Sequence, residues 1–401
     1  MVTELTKIKI LVILGVIVVL FGVLGWSWVR PADGYDGMTV VLSGKPGVVI
    51  LAGAGLGLMG VLVGVVFGRR HGLQMGMLAV PAGLTVWAVL SGNIERMLLE
   101  YSAAEARHGL FIKLMGDAVI WSALVGLGCG VTWLIGRVVS SVGTDHAESA
   151  LTGASNQAEK TSESLGVESK EPAKTLGWDI FGLVVSCVMV IILAKILFMF
   201  ESFVISVIAV VAPVVVFRLR MLLVSGELFA GSKQSNPKVK AITAELNQEG
   251  FSGSKLLIYR WLQVICGFVL CSMTALLLIK VLGQARHVSL SYPVTEEASI
   301  VPEGGQIIFA VAVGFFLAAL AAHQFTEIPL WKLLLCPLLI SVIAYYSGFQ
   351  HGIVETLNGS GPAFVPKSIV FATILPIQFI GVGTFALMWG YYYSEGLGTR
   401  D

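Results

Sequence analysis

GVVILAGAGLGLMGVLVGVVFG, residues 47–68, contains no charged side chain and stops at Arg69-Arg70-His71. A helix rises about 1.5 Å per residue, so roughly 20 apolar residues cross a hydrocarbon core about 30 Å thick. This stretch therefore reads as a complete membrane span with a basic anchor at one end. Nine further stretches read the same way, at 7–28, 73–92, 118–141, 177–199, 202–224, 256–281, 305–325, 330–347 and 369–393. The expected fold is all-α, a polytopic transmembrane helix bundle of about ten spans.

Composition agrees with that reading. The 401 residues are 56% hydrophobic and only 13% charged, whereas about a quarter of a soluble domain is charged. The mean hydropathy is +0.86. The net charge of +1 is uninformative, but charge position is not. With a cytoplasmic N-terminus, Lys7, Lys9, Arg69, Arg70, Arg137, Arg218, Arg220 and Lys332 fall at inner span ends. Short-loop Lys and Arg set orientation, so both termini are expected in the cytoplasm and the chain in the cell membrane. The first span follows Lys7 and Lys9 like a signal peptide, yet it ends in Trp26-Ser27-Trp28-Val29-Arg30 rather than a small-residue cleavage site. We read it as an uncleaved anchor. The five cysteines, Cys129, Cys187, Cys266, Cys271 and Cys336, fall inside spans and read as small apolar packing residues.

A shift of 256 residues places Pro46 on Pro302, Pro81 on Pro337 and Ser91-Gly92 on Ser347-Gly348. In each half a span is followed by an outer loop, a tight helix pair, a second outer loop and a glycine-bearing last span. This pattern predicts a duplicated four-helix unit, in residues 1–141 and 256–401. Equivalent helices are separated by an even number of spans, so the repeat is parallel. Residues 177–224 form an inserted helix hairpin. Residues 142–176, rich in Ser, Glu, Ala, Thr and Lys, bury too little apolar surface to offset ordering entropy and read as a flexible cytoplasmic linker. In the cytoplasmic segment 225–255, Asn236 suits an N-cap, Pro237 the first helical position and Gly250 the stop. Val239, Ile242 and Leu246 share one face of that amphipathic helix, beside Lys238 and Lys240. These five are the candidate contact with a protein partner or lipid headgroups. On the outer side, 93–107 reads as an interfacial amphipathic helix.

Span 2 carries Gly53, Gly57, Gly60, Gly64 and Gly68, and span 8 carries Ala310, Gly314, Ala318 and Ala322. Small residues four apart let backbones approach closely in lipid. They mark a helix-packing or passage-lining face, and the two units are expected to pack through spans 2 and 8. Pro81, Pro213, Pro337 and Pro376 fall inside spans and are expected to kink them. Span centres hold almost no ionisable residue, with Asp117 at the start of span 4 and Lys195 towards the end of span 5, which argues against a pump driven through buried carboxylates. His323 closes span 8 and reads as an interface residue.

His108 and His351 occupy corresponding outer loops, near Glu95, Glu100 and Glu355. They are weak candidates for a metal site, without the i, i+4 spacing of a helical zinc motif. No G-x-S-x-G elbow, Walker loop or H-E-x-x-H string occurs. The expected function is a non-catalytic multi-pass membrane protein, a transport-type permease component or an assembly scaffold. The alternative is a membrane-embedded enzyme with an outer-face His/Glu metal site. The expected partners are the lipid bilayer and a protein at the cytoplasmic face; neither a cofactor nor nucleic acid is expected.

Overall fold

The computed structural model describes residues 46–68, 73–91, 104–151, 182–194, 210–216, 253–283, 298–300, 304–326, 328–350, 364–366 and 373–398, with single positions at 15, 18, 19, 22, 208 and 371. The elements are α1 (Pro46–Gly68), α2 (Leu73–Leu90), α3 (Ala104–Leu151), α4 (Gly182–Ala194), α5 (Gly253–Leu282), β1 (Ala298–Ile300), α6 (Gly304–Thr326), α7 (Leu330–Leu333), α8 (Cys336–Gln350), β2 (Phe364–Pro366), a π-helical turn (Gln378–Val382) and α9 (Gly383–Gly398). Helix dominates. The fold is all-α as expected, with one short ribbon added in which β1 pairs antiparallel with β2, Ser299 opposite Val365.

Five helical segments are long and apolar enough to cross a bilayer: Pro46–Val66, Gly109–Val139, Trp261–Leu282, Gly304–Thr326 and Leu330–Ser347. Two shorter apolar helices, Gly76–Leu90 and Gly182–Ala194, stand beside them. Ile50, Leu58, Leu62 and Val65 on α1 and Val119, Leu127, Leu134 and Val138 on α3 are exposed. Apolar bands of that length suit lipid and are uncommon on water-soluble monomers. The protein is a helical membrane protein.

Several boundaries differ from the sequence expectation. Span 4 is part of a 48-residue helix, α3, which takes in the first ten residues of the expected linker, 142–151. Extending an existing helix adds one hydrogen bond per residue without a new nucleation cost, so Ala147, Glu148, Ala150 and Leu151 follow the helix already formed. Span 9 is interrupted by a turn at Leu334 and Leu335. Pro337 is thus the second residue of α8, and Pro376 stands at the start of the last helix. Neither kinks a helix interior, because a proline at a helix start removes an N–H that has no intrahelical acceptor anyway. Pro81 does lie inside α2, and the Thr85 hydroxyl donates to its carbonyl at 2.9 Å. Pro213 falls within helical residues 210–216.

The core is built by close parallel pairing. A β-carbon added at Gly53 would meet Leu124, at Gly60 Val131 and at Gly64 Ile135. Each partner lies 71 residues further on, so α1 and α3 run parallel without slippage. In the second half, Phe316 packs on Trp389 and Gly390, and His323 meets Ser394, again 71 residues on. Hence α6 and α9 are also parallel. Gly314 abuts Ile279 and Gly283 faces Ala310, which makes α6 antiparallel to α5.

The two halves do not pack mainly through spans 2 and 8. Helix α1 lies along α3, and α6 lies along α5 and α9. The junction forms where α8 packs on α3, and where α2 packs on the π turn and α9. Close approach explains the choice, since Gly381 brings the π turn against the Leu84 backbone carbonyl.

Candidate functional site

At this junction the helix that leads into α9 starts inside the bundle. Phe371, Ile374, Leu375, Ile377, Gln378 and Phe379 are all buried, and Ile374 and Leu375 are not α-helical. The local sequence explains the start. Leu375 occupies the N-cap position, Pro376 the first helical position and Gln378 the third. The Leu375 N–H donates to Gln378 Oε1 at 3.0 Å, which is the backward half of a capping box. The N–H groups of Gln378 and Phe379 both donate to the Leu375 carbonyl, at 2.9 and 3.0 Å. Five π-helical residues follow, Gln378–Val382. Such turns are rare and recur at functional sites.

Tyr345 of α8 ties down the preceding residue, its hydroxyl donating to the Ile374 carbonyl at 2.6 Å. Its ring stands edge-on to Phe379, with centroids 6.1 Å apart. Asp117 of α3 is 0% exposed and within electrostatic reach of Tyr345. The sequence reading put Asp117 at the edge of span 4. The apolar helical segment runs from Gly109 to Val139, and Asp117 stands eight residues into it. One turn on, Trp121 meets Trp87 of α2 edge-on at 6.1 Å. Ser91 ends α2 with its hydroxyl on the Ala88 carbonyl at 2.8 Å. Three helices and the π turn thus contribute four large buried rings and one buried carboxylate to the junction.

A second polar cluster lies at the other end of α9. The His323 Nδ1 and Ser394 Oγ are 2.8 Å apart, and Gln324 Nε2 donates to the Ser394 carbonyl at 3.3 Å. The Tyr391 ring lies 4.4 Å from the His323 ring, and the Leu330 backbone hydrogen-bonds Tyr391. His323 therefore fastens α6 to α9.

Among the sites expected from sequence, Gly60 and Gly64 lie tight against α3, and Gly57 touches Leu127 loosely. Ala310, Gly314, Ala318 and Ala322 are buried along α6. Lys238, Val239, Lys240, Ile242 and Leu246 lie outside the described residues, as do Gly68's packing, His351 and the side chain of His108. Only its last four residues of the outer helix expected at 93–107 are described, and they open α3. Among the described residues, no three His, Cys, Asp or Glu side chains gather closely enough to hold a metal ion. The five cysteines are free thiols, and Ser272 Oγ donates to Cys336 Sγ at 3.5 Å.

Sequence reasoning missed the junction itself. Two signals pointed to it: Pro376 followed two positions on by Gln378, and Asp117 four residues before Trp121 on one helix face. No protein-family model, curated protein or solved structure matches this chain.

Proposed function

We propose that the chain is a transport-type permease component of the cell membrane, made of two duplicated four-span units that meet around the Asp117 junction. The observation that carries this reading is the final span's start in the bundle interior, beside a buried carboxylate. Discontinuous spans at repeat interfaces are where transporters place their sites, because the interrupted backbone gives a hinge and unpaired polar groups. An ionisable residue inside the membrane is costly and is retained where it functions. The burial of Asp117 weighs against the sequence-based argument that disfavoured a driven carrier, which rested on the near absence of ionisable residues at span centres.

Duplication is supported by the parallel pairing of α1 with α3 and of α6 with α9. It is supported further by the exchange at the junction, where the third span of each unit packs on the fourth span of the other. A two-fold axis along the membrane normal produces such an exchange. With both termini cytoplasmic, the Asp117 junction occupies the outer half of the membrane and the His323–Ser394 bond closes the inner side.

The test is water access. Native cysteines are replaced, single cysteines are placed at Ser341 and Thr373, both buried at the junction, and intact cells or vesicles are treated with a water-soluble thiol reagent. Labelling of either position supports an alternating pathway. Absence of labelling at both, from both sides, removes the permease reading and leaves the scaffold.

A further inference from the structure

We propose that Cys271 of α5 and Cys336 of α8 are a reversible dithiol–disulfide pair whose oxidation ties α8 to α5. The inference stands apart from the permease reading and reassigns two thiols that the sequence alone marks as packing residues. Both side chains are 0% exposed, and α5 and α8 pack against each other. The Cys271 thiol donates to Cys336, and the hydroxyl of Ser272, the next residue, donates to Cys336 Sγ at 3.5 Å. Two neighbouring side chains of α5 thus address one sulfur. A disulfide bond is about 2.05 Å long, so two sulfurs already in hydrogen-bond contact need a short approach and no added space. Other thiols are placed differently. Cys129 Sγ donates to the Met77 carbonyl at 3.8 Å, and Cys187 of α4 is within electrostatic reach of Cys336.

The place of Cys336 in the fold gives the pair a route to reagents. Trp331 is 52% exposed, with Lys332 Nζ 5.1 Å from its ring centroid, an arrangement suited to the headgroup level. Cys336 follows shortly after, directly beyond the turn at Leu334 and Leu335 that separates α7 from α8. Local opening exposes buried groups ahead of global unfolding, and a turn between two helices is the place for it. With both termini cytoplasmic this end faces the cytosol, where thiols are kept reduced and disulfides act as transient redox sensors. The oxidant is a disulfide of the glutathione type, and attack takes place in the opened state. Cys336 gives up its proton, the charge on its sulfur supported by the two donors, and the sulfur attacks one sulfur of the oxidant. The oxidant's S–S bond breaks, a mixed disulfide forms, and the first thiol leaves with that proton. Cys271 then attacks the Cys336 sulfur, the mixed bond breaks, and a second thiol leaves with the Cys271 proton. Two cysteine thiols are oxidised and one disulfide is reduced to two thiols.

The experiment is equilibration of the full chain in lipid nanodiscs with graded mixtures of reduced and oxidised glutathione. Remaining thiols are blocked, and linked peptides are identified by mass spectrometry after digestion. We expect one linked pair, Cys271 with Cys336, that grows with the oxidised fraction, disappears on adding a reducing agent, and raises the thermal transition temperature while present. Cys187→Ser should form the pair at the wild-type rate, and Ser272→Ala should form it severalfold more slowly. Absence of the pair across the series, a Cys187–Cys336 link in its place, a glutathione adduct that never resolves, or a pair seen only after denaturation would each overturn the proposal. The wild-type measurement decides it even where a variant fails to fold.

Discussion

A β-carbon placed on Gly60 would lie 2.6 Å from the carbonyl oxygen of Gly128. The obstacle is backbone, so it cannot rotate away. Gly60→Ala is expected to force α1 and α3 apart at a cost of about 1–3 kcal/mol, the range for overpacking. Gly126→Ala and Gly130→Ala on α3 meet nothing within 4 Å and are expected to change stability by no more than about 1 kcal/mol, in the stabilising direction, because alanine favours helix. Thermal unfolding in a mild detergent separates the cases. Equal transition temperatures for Gly60→Ala and Gly130→Ala would mean that α1 and α3 do not pack through Gly60.

The His323 to Ser394 bond predicts measurable coupling between α6 and α9. Ser394 is 1% exposed, so removing one partner strands a buried polar group. Each single substitution, His323→Ala or Ser394→Ala, is expected to cost about 1–3 kcal/mol. The double variant should cost less than their sum, with an interaction energy of about 0.5–3 kcal/mol. Strict additivity in the double-mutant cycle would show that the two side chains act independently.

Tyr345 offers a single-atom test of the junction. Tyr345→Phe keeps the edge-on contact with Phe379 and leaves the Ile374 carbonyl without its donor, in a segment that is not α-helical. An unmet buried acceptor costs about 1–3 kcal/mol. The control is Tyr393→Phe, whose ring is 51% exposed and which should lie within about 0.5 kcal/mol of wild type. If the two variants unfold alike, the Tyr345 hydroxyl is not holding the start of the last span.

Hydropathy made the membrane class legible because burial in lipid needs only length and the absence of charge, which residues 47–68 display unaided. The same property hid the junction. Asp117 looked like the polar edge of span 4 because apolar patterning cannot tell where along a 48-residue helix the protein interior begins; that depends on Tyr345 and Trp87, which lie far away in sequence. The four prolines looked alike for a related reason. Only the hydrogen bonds of neighbouring residues distinguish Pro81, inside α2, from Pro337 and Pro376, at helix starts. The small-residue stripes announced close packing, but glycine carries no mark of its partner, so Gly60 was matched with span 8 rather than with Gly128.

Gln378 should govern whether the last span starts where it does. Its Oε1 takes the Leu375 N–H, while the proline at 376 prevents the helix from extending backwards with a full set of bonds. Gln378→Leu keeps the volume and removes the acceptor, so the Leu375 N–H becomes a buried orphan at about 1–3 kcal/mol. Gln378→Glu keeps an acceptor but places a second carboxyl in the junction that already holds Asp117, where like charges repel and neither is well solvated. Hydrogen–deuterium exchange resolves the two effects, because local opening exposes these amides ahead of global unfolding. Exchange at Leu375 and at Gln378–Phe379 should accelerate in Gln378→Leu at any pH, whereas in Gln378→Glu it should accelerate chiefly under conditions that ionise both carboxyls. Unchanged exchange in Gln378→Leu would mean that Pro376 and the Tyr345 hydroxyl are sufficient to fix the helix start, and that the side-chain cap contributes little to the hinge.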